Sequence, residues 1–287
     1  MEKLIKIKRA LISVSDKTGI VELAKELYGR KIELVSTGGS ASILRNAGFK
    51  VTEVSKLTGF PEMMDGRLKT LHPNVHGGLL ADRDEKSHVN AMEKYNVKEI
   101  DLLVVNLYPF AETVRAGADY AQCIENIDIG GPAMIRAAAK NFKYVATLVD
   151  IEDYESLVNE LKMKNGCTSY SFRQKLSQNA FSLSAYYDAM ISNWMLDNIT
   201  GVKPRRFSIS AALSQDLRYG ENPHQSASFF LDEYLKGGIG ASKQIQGKTL
   251  SYNNINDTHA ALELVNEFPQ NDGAAAVIIK HANPCGV

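Results

Sequence analysis

The stretch Asp101-Leu102-Leu103-Val104-Val105-Asn106-Leu107 decides the fold of this chain. Its apolar residues follow one another almost without interruption, which is the pattern of a strand covered on both faces. Such strands belong to parallel sheets, because the helices that connect parallel strands pack on both faces of the sheet. The run therefore predicts an α/β fold built on a parallel sheet with helices on both faces.

Segments on either side of this run alternate between the periods of strands and helices. Apolar strands are predicted over residues 4–15, 32–37, 51–54 and 144–149. Residues 20–27 have the spacing of a helix with one apolar face. A short helix is predicted after Gly38-Gly39, through Ile43 and Leu44 to Gly48. In open sheets of this type, ligands bind beyond the carboxyl ends of the strands. The segments that follow the strands are therefore the places to search for a site.

The second half of the chain contains a long helix and then a change of pattern. From Phe172 to Trp194 apolar residues recur every three or four positions, which predicts one amphipathic helix with a core-facing stripe. The periodicity ends near Gly201, and Lys203-Pro204-Arg205-Arg206 is typical of a linker. We therefore expect two domains, residues 1–200 and 201–287. In the second we expect a strand over 274–279, followed by a segment that resembles the start of a helix.

Composition excludes several classes of protein. The 33 Lys and Arg residues balance the 33 Asp and Glu residues, whereas a nucleic-acid-binding protein usually has a basic excess. No run approaches the ~18 apolar residues of a membrane span. The cysteines, Cys123, Cys167 and Cys285, are far apart and form no Cys-x-x-Cys pair. We expect no metal site, no nucleic-acid or membrane partner, and a cytoplasmic location.

Two strand-to-helix segments have the composition of phosphate-binding loops. They are Ser13-Val14-Ser15-Asp16-Lys17-Thr18-Gly19 and Ser36-Thr37-Gly38-Gly39-Ser40. Hydroxyls, a lysine and paired glycines near a helix N-terminus can hold a phosphate, because the N–H groups of the first turn lack partners within the helix. Alternatively, Ser15 or Asp16 caps the first helix with Lys17 in solvent, and the second segment is a simple glycine-rich turn.

The segment Gly66-Arg67-Leu68-Lys69-Thr70-Leu71-His72-Pro73 is polar and basic. If it is extended, Arg67 and Lys69 lie on one side, since residues two apart along a strand share a face. They could then grip a carboxamide or stabilise an oxyanion. The alternative is a solvated basic loop.

Two further segments carry groups that can transfer protons. Tyr108 follows the buried strand, and its phenol can donate or accept a hydrogen bond. Asp128 precedes Gly130-Gly131-Pro132, and Pro132 suits the first turn of a helix whose glycine N–H groups would be free. Lys140 lies about two turns beyond Pro132. Alternatively, Tyr108 is an ordinary strand-end aromatic, Asp128 is a helix cap and Lys140 is a surface residue.

In order along the chain, these segments resemble the family of bifunctional transformylase/inosine monophosphate cyclohydrolase enzymes of purine biosynthesis. The resemblance covers essentially the whole chain. Its carriers are SVSDKTG at 13–19, STGGS at 36–40, GRLKTLHP at 66–73, NLYPF at 106–110, IDIGGPAMIRAAAKN at 127–141, LRYGENPHQ at 217–225 and KHANPCGV at 280–287. The resemblance implies a methylglyoxal-synthase-like first domain and an incomplete cytidine-deaminase-like second domain.

The resemblance also implies a set of site residues. Those that match substrate-phosphate positions are Ser13, Ser15, Lys17, Ser36, Thr37, Gly38 and Gly39. Those that match the rest of the substrate pocket are Arg67, Thr70, Asn106, Ile129, Gly130 and Gly131. Those expected to be catalytic are Lys69, Tyr108, Asp128 and Lys140. Those that match transformylase positions are Arg218, Tyr219, Asn254, Lys280 and His281.

The implied activity of residues 1–200 is cyclohydrolase: closing the ring of 5-formamidoimidazole-4-carboxamide ribonucleotide to inosine monophosphate, with loss of water and without a cofactor. Formyl transfer from 10-formyltetrahydrofolate is implied for the full-length protein alone, since the family's transformylase continues beyond the segment matched here. The family implies a small purine-precursor nucleotide as ligand and a homodimer.

Three rival functions were weighed. Methylglyoxal synthase would need its own aspartate and histidine motif, which is missing from the sequence. A zinc deaminase would need His-x-Glu and Pro-Cys-x-x-Cys motifs, which are also missing. A non-enzymatic regulatory domain of the same fold would keep the phosphate loops without a reactive pocket. The basic segment at 66–73 and Tyr108 favour the enzyme over this last alternative.

Overall fold

A computed structural model of the chain describes residues 3–61, 63–232, 237–269, 271 and 273–287. The chain divides into two compact units, one made of 1–110 with 119–191 and the other of 111–118 with 192–287. The first unit ends before the predicted boundary near residue 201. The assignment of separate activities to 1–200 and 201–287 stays a prediction.

The first unit is built on a parallel sheet. Its strands are β2 (Arg9–Ser13), β3 (Glu33–Ser36), β4 (Val51–Glu53), β5 (Leu102–Val105) and β6 (Ala146–Leu148), in the order β4-β3-β2-β5-β6. Every pair is parallel, and Ile12 lies opposite both Ser36 and Val104. The parallel sheet predicted from residues 101–107 is confirmed, and the loops after β2, β3 and β5 leave it at one edge.

Helices cover both faces of this sheet. The helices that begin in the first unit are α1 (Ile20–Gly29), α2 (Gly38–Asn46), α3 (Val54–Thr58), α4 (Pro73–Leu80), α5 (Lys86–Lys94), α6 (Phe110–Arg115), α7 (Tyr120–Glu125), α8 (Gly130–Lys140), α9 (Asp153–Met163) and α10 (Tyr170–Asp197). Ile12 packs with α1 and α9 on one face, whereas its neighbour Leu11 packs with α4 and α8 on the other. This alternation explains why the strands are apolar throughout.

The strand predicted over residues 4–15 is interrupted, which corrects the sequence analysis. Ile5–Lys6 forms a short strand, β1, which pairs antiparallel with β7 (Cys167–Thr168), and β2 begins only at Arg9. The buried Asp101 carboxylate accepts the N–H groups of Lys8 and Arg9 at 2.8 and 3.0 Å. This carboxylate therefore binds the two backbone N–H groups where β2 begins.

The predicted amphipathic helix is confirmed as α10. Leu176, Ala180, Tyr187 and Met190 are buried along one stripe, as the period of three to four residues predicts. Arg173, one turn before Leu176, is fully buried, and its guanidinium donates to the carbonyl oxygens of Phe142 and Lys143 at 2.8 and 3.0 Å. The first turns of α10 are thereby bound to the segment that precedes β6.

The described part of residues 192–287 includes two antiparallel hairpins and a long helix. Its elements are β8 (Ala212–Leu217) paired with β9 (Ala227–Leu231), α11 (Tyr252–Asn266), and β10 (Ile278–Lys280) paired with β11 (Asn283–Gly286). The strand predicted over 274–279 is confined to β10. We expected the segment after it to start a helix, and this expectation is wrong. The chain instead turns back at His281 and Ala282, whose φ angles are 54° and 57°. The predicted cytidine-deaminase-like fold of this region stays a prediction.

Within the described parts of the chain, no helix is long and apolar enough to cross a membrane. Among the same residues, no cluster of three or more His, Cys, Asp or Glu side chains is placed to hold a metal ion.

Candidate active site

The loops after β2 and β3 meet at the carboxyl edge of the sheet and form what we call the nest end of the site, residues 13–19 and 36–40. The Ser13 and Thr37 hydroxyls lie 3.2 Å apart. Ser40 donates its hydroxyl proton to the Val14 carbonyl at 3.0 Å and accepts the Val14 N–H at 3.3 Å. The two predicted phosphate loops are therefore joined to each other by hydrogen bonds.

Ser36 has a different place from the other hydroxyls of the nest end. It is fully buried and donates to the Ile12 carbonyl at 2.7 Å, which ties the end of β3 to β2. A direct contact between Ser36 and a ligand stays a prediction.

Two lysine side chains lie close to the N-terminus of α2. Thr37 occupies the cap position, and among the described residues no side chain caps the helix. A Cβ placed on Gly38 would lie 2.8 Å from Lys69 Nζ, and one placed on Gly39 would lie 3.5 Å from Lys17 Cε. Two lysines therefore reach the first turn of a helix whose dipole also favours an anion.

The alternative of an N-cap from Ser15 or Asp16 is wrong. The cap position of α1 is Gly19, with φ 70°, and it makes no side-chain cap bond. Asp16 instead accepts the N–H and hydroxyl of Thr18 at 2.9 and 2.7 Å, and these bonds hold the pKa of its carboxyl below the usual value. Lys17 folds back and donates to the Ser15 carbonyl at 2.7 Å rather than extending into solvent.

Asn106, immediately after β5, clamps the first loop of the nest end. Its side-chain oxygen accepts the N–H groups of Ser15 and Asp16, and its amide nitrogen donates to the Asp16 carbonyl at 2.8 Å. Both polar atoms of the side chain therefore bind backbone. A substrate contact of Asn106, as predicted, remains untested.

The basic segment is not extended, which corrects the expectation that Arg67 and Lys69 share a side. A 3₁₀ turn spans Met64–Gly66, and the N–H groups of Arg67 and Lys69 donate three residues back, to Met64 and Gly66. Residues two apart along such turns point in different directions. Lys69 accordingly lies over Gly38, whereas Arg67 forms an exposed ion pair with Glu125.

The loops at 106–108 and 126–131 form the second part of the site, which we call the aspartate end. Asp128 accepts the Gly131 N–H at 2.7 Å and also the backbone N–H of Tyr108. Burial raises the pKa of the Asp128 carboxyl, and these two bonds oppose the rise. The Gly131 N–H is therefore not free for a ligand, contrary to our expectation.

The other predicted residues of the aspartate end differ in exposure. A Cβ on Gly130 would lie 2.7 Å from the hydroxyl oxygen of the buried Thr70, so the basic segment contacts the start of α8. Tyr108 and Ile129 are exposed, at 49% and 63%. Their side chains are thus accessible to a ligand, and their substrate contacts stay predictions.

Lys140 lies apart from the other predicted catalytic residues. It is exposed and ends α8, which begins at Gly130 beside Asp128. Ten residues of helix separate the two ends by roughly 15 Å, at about 1.5 Å per residue. Its catalytic role stays a prediction.

The predicted transformylase residues lie in the second unit. Arg218 stacks over the Tyr219 ring at 5.0 Å directly after β8, and Asn254 closes a capping box with Ser251 at the start of α11. Lys280 and His281 lie where β10 turns into β11. The sequence motif gave no indication of the structural task of Asn254, and a substrate contact there is untested.

Tyr187 lies in the site although its place in the apolar stripe of α10 predicted only a core role. The Tyr187 phenol accepts the Asp128 N–H at 3.0 Å and donates to the Asn126 carbonyl at 3.3 Å. Burial raises the pKa of this phenol to about 12. A signal was present, because a tyrosine in a buried stripe needs a hydrogen-bond partner for its hydroxyl.

Comparison with known protein families identifies the family of this chain. The MGS-like domain matches residues 19–133, so the first unit is an MGS-like α/β fold. The AICARFT/IMPCHase bienzyme matches residues 138–287, more than half of the chain. The chain belongs to the AICARFT/IMPCHase bienzyme family.

Curated relatives agree with this assignment, and a solved structure is similar to part of the chain. The chain is 61% identical over 287 residues to the bifunctional purine biosynthesis protein PurH of Dinoroseobacter shibae, and 58% identical to that of Ruegeria pomeroyi. It spans 54% of the length of each, about half, while all of the chain is matched. The crystal structure of ForH is 35% identical, with a TM-score of 0.58 over 66% of this chain and 98% of that one.

Proposed function

We propose that this chain closes the purine ring, converting 5-formamidoimidazole-4-carboxamide ribonucleotide to inosine monophosphate with loss of water. The observation that carries the proposal is that the nest end and the aspartate end, which differ in charge and chemistry, lie at the same edge of the sheet. Lys17 and Lys69 reach the α2 N-terminus at the nest end, and a carboxyl of raised pKa, Asp128, lies at the aspartate end. A phosphorylated substrate with a reactive, uncharged far end suits this arrangement.

The reaction needs no group outside the substrate and the protein. The carboxamide nitrogen attacks the formyl carbon, a C–N bond forms, and the formyl oxygen takes the electron pair of its double bond. That oxygen gains two protons and leaves as water. One proton comes from the attacking nitrogen, which keeps its other proton, and the second comes from the formamide nitrogen, which then forms a double bond to the former formyl carbon. Holding the two groups in contact can contribute ~7–11 kcal/mol to lowering the barrier.

Charge that develops on the formyl oxygen would be stabilised by Lys69 and by the Gly130 N–H. Lys69 is suited to this because its neighbour Thr70 lies against Gly130 at the aspartate end, so the basic segment that carries Lys69 runs between the two ends. The Gly131 N–H is committed to Asp128 and so helps orient the carboxyl instead.

Proton transfer falls to the aspartate end. Burial raises the pKa of Asp128, which brings a carboxyl nearer to the range where it both accepts and donates protons. Tyr108 and Lys140 are the other carriers that we proposed from the sequence.

The test is to incubate the purified chain with the formylated nucleotide and to follow inosine monophosphate by ultraviolet absorption and chromatography. We expect turnover by the wild-type chain and a loss of roughly 100-fold or more in kcat for Lys69→Ala, the scale of removing one oxyanion donor. Lys86→Ala is the matched control, since Lys86 is exposed at the start of α5. A folded wild-type chain without product formation would refute the proposal.

The remaining parts of the proposal rest on the family alone. We propose that formyl transfer from 10-formyltetrahydrofolate belongs to the full-length protein, with Lys280 and His281 in its site. We also propose a homodimer and a cytoplasmic location. Measuring formyl transfer with this chain, and its mass in solution, tests the first two.

A further inference from the structure

Tyr187 links the core helix α10 to the loop that carries Asp128. Its side chain is 3% exposed, and its hydroxyl makes two hydrogen bonds to that loop. It accepts the N–H of Asp128 at 3.0 Å and donates to the carbonyl of Asn126 at 3.3 Å. One phenol thus fixes the backbone on both sides of Ile127.

The same ring contacts the first residue of α6, the helix that follows the loop after β5. Phe110 packs edge-on against Tyr187, with ring centroids 6.4 Å apart and an interplanar angle of 73°. The Phe110 N–H donates to the Tyr108 carbonyl at 2.8 Å, so the position of Phe110 and that of Tyr108 are coupled. Tyr108 in turn donates its backbone N–H to the Asp128 carboxylate. Tyr187 therefore binds the loop at 126–131 directly and is coupled to the loop at 106–108 through Phe110.

We propose that Tyr187 is a positioning residue for ring closure, setting the place of Asp128 by holding its backbone from α10. The inference rests on the function proposed above and names a residue that acts on that site without touching the substrate. The bonds from Gly131 and Tyr108 to the Asp128 carboxylate join loop to loop. The two hydrogen bonds of the Tyr187 phenol differ from these, because they join the loop to a long helix. The turns of that helix just before Tyr187, at Ala180 and Ser184, are buried.

Misplacement of a catalytic group by about 1 Å can cost roughly 100-fold in rate without loss of binding. The phosphate of the substrate would be held at the nest end, which Tyr187 does not contact through any hydrogen bond among the described residues. Loss of the phenol should therefore lower kcat and leave KM nearly unchanged.

The test compares Tyr187→Phe with Tyr144→Phe. Both replacements keep a buried ring and remove one hydroxyl that both donates and accepts: Tyr144 donates to Asp82 and accepts the Asp84 N–H at 3.1 Å. Tyr144, however, directly precedes β6 and so lies at the opposite edge of the sheet from the site. We expect a kcat about 10- to 100-fold lower for Tyr187→Phe, with KM within about twofold, and wild-type kinetics for Tyr144→Phe.

A second readout needs no substrate. Amide hydrogen exchange of Asp128, followed by NMR, should be faster in Tyr187→Phe than in the wild type and unchanged in Tyr144→Phe. With an active wild-type chain, equal kinetics of the two variants, or an Asp128 amide that exchanges at the wild-type rate in Tyr187→Phe, would overturn the positioning role alone. An inactive but folded wild-type chain would instead remove the ring-closing function, and this role with it.

Discussion

The two ends of the site are held by different means. At the nest end, Ser13, Ser36 and Ser40 make hydrogen bonds between neighbouring strands or the loops directly after them. At the aspartate end, Asp128 and Tyr108 lie on two loops that are bound to each other and to Tyr187 of α10. The difference teaches that the nest end follows from the sheet itself, whereas the aspartate end depends on packing between distant segments.

This comparison predicts that the two ends fail differently when altered. Changes at the nest end should weaken binding, because the proposed ligand there is the unreacting phosphate. Changes at the aspartate end should slow the chemistry, because interactions made in the transition state act on kcat.

The largest effect is expected for Asp128→Asn. The amide keeps an acceptor for the Gly131 N–H but cannot exchange a proton as a carboxyl does, so kcat should fall by roughly 10²- to 10⁴-fold with KM little changed. Steady-state kinetics measures this. Asp188→Asn is the control, since Asp188 is the exposed residue next to Tyr187 on α10. Comparable losses in both variants would remove Asp128 from proton transfer.

A smaller effect, on KM, is expected for Lys17→Ala. Hydrogen bonds to charged groups are worth about 1.5–3 kcal/mol, so KM should rise by roughly 10-fold or more while kcat stays near the wild-type value. Lys25→Ala, on the exposed face of α1, is the control for loss of one positive charge. A fall in kcat with unchanged KM would show that the nest end serves the chemistry rather than binding.

Lys140→Ala measures how far the aspartate end extends. Because Lys140 lies at the other end of α8 from Gly130, we expect its kcat loss to be smaller than that of Asp128→Asn. The same kinetic assay decides this. Equal losses would mean that Lys140 reaches a reacting group by another route, such as the site of a second chain, and mixing the two inactive variants would then restore activity.

The smallest effect is on stability and comes from the ionisation of Asp128. Its folded pKa is raised by burial, so the folded state binds the proton more tightly than the unfolded state does. The stability that this proton contributes is present below the unfolded pKa and is lost as pH rises through the folded pKa. The melting temperature of Asp128→Asn relative to the wild type should therefore rise with pH over that interval, and a constant difference would contradict the burial of this carboxyl.

Local pattern was sufficient for most of the first unit. The apolar run at 102–105 predicted its buried parallel strand, and the spacing of residues 20–27 and 172–194 predicted α1 and α10. These predictions succeeded because burial on two faces, or on one stripe, leaves a fixed period in the sequence. The hairpin at Lys280–Asn283 was missed because its turn residues, His281 and Ala282, are not the usual residues for positive φ.

The sequence by itself determined which segments carry the candidate chemistry, since serine, lysine, glycine and aspartate at strand ends are visible without coordinates. Only the tertiary structure decided how these groups are used. In the structure Lys69 and Arg67 point to different partners, and the Gly131 N–H donates to the Asp128 carboxylate. The Tyr187 phenol accepts the backbone N–H of that aspartate. The physical reason is that the hydrogen-bond partners in these loops are far apart in sequence, up to 91 positions for Ser15 and Asn106. A local pattern of apolar and polar residues carries no information about contacts over such a separation.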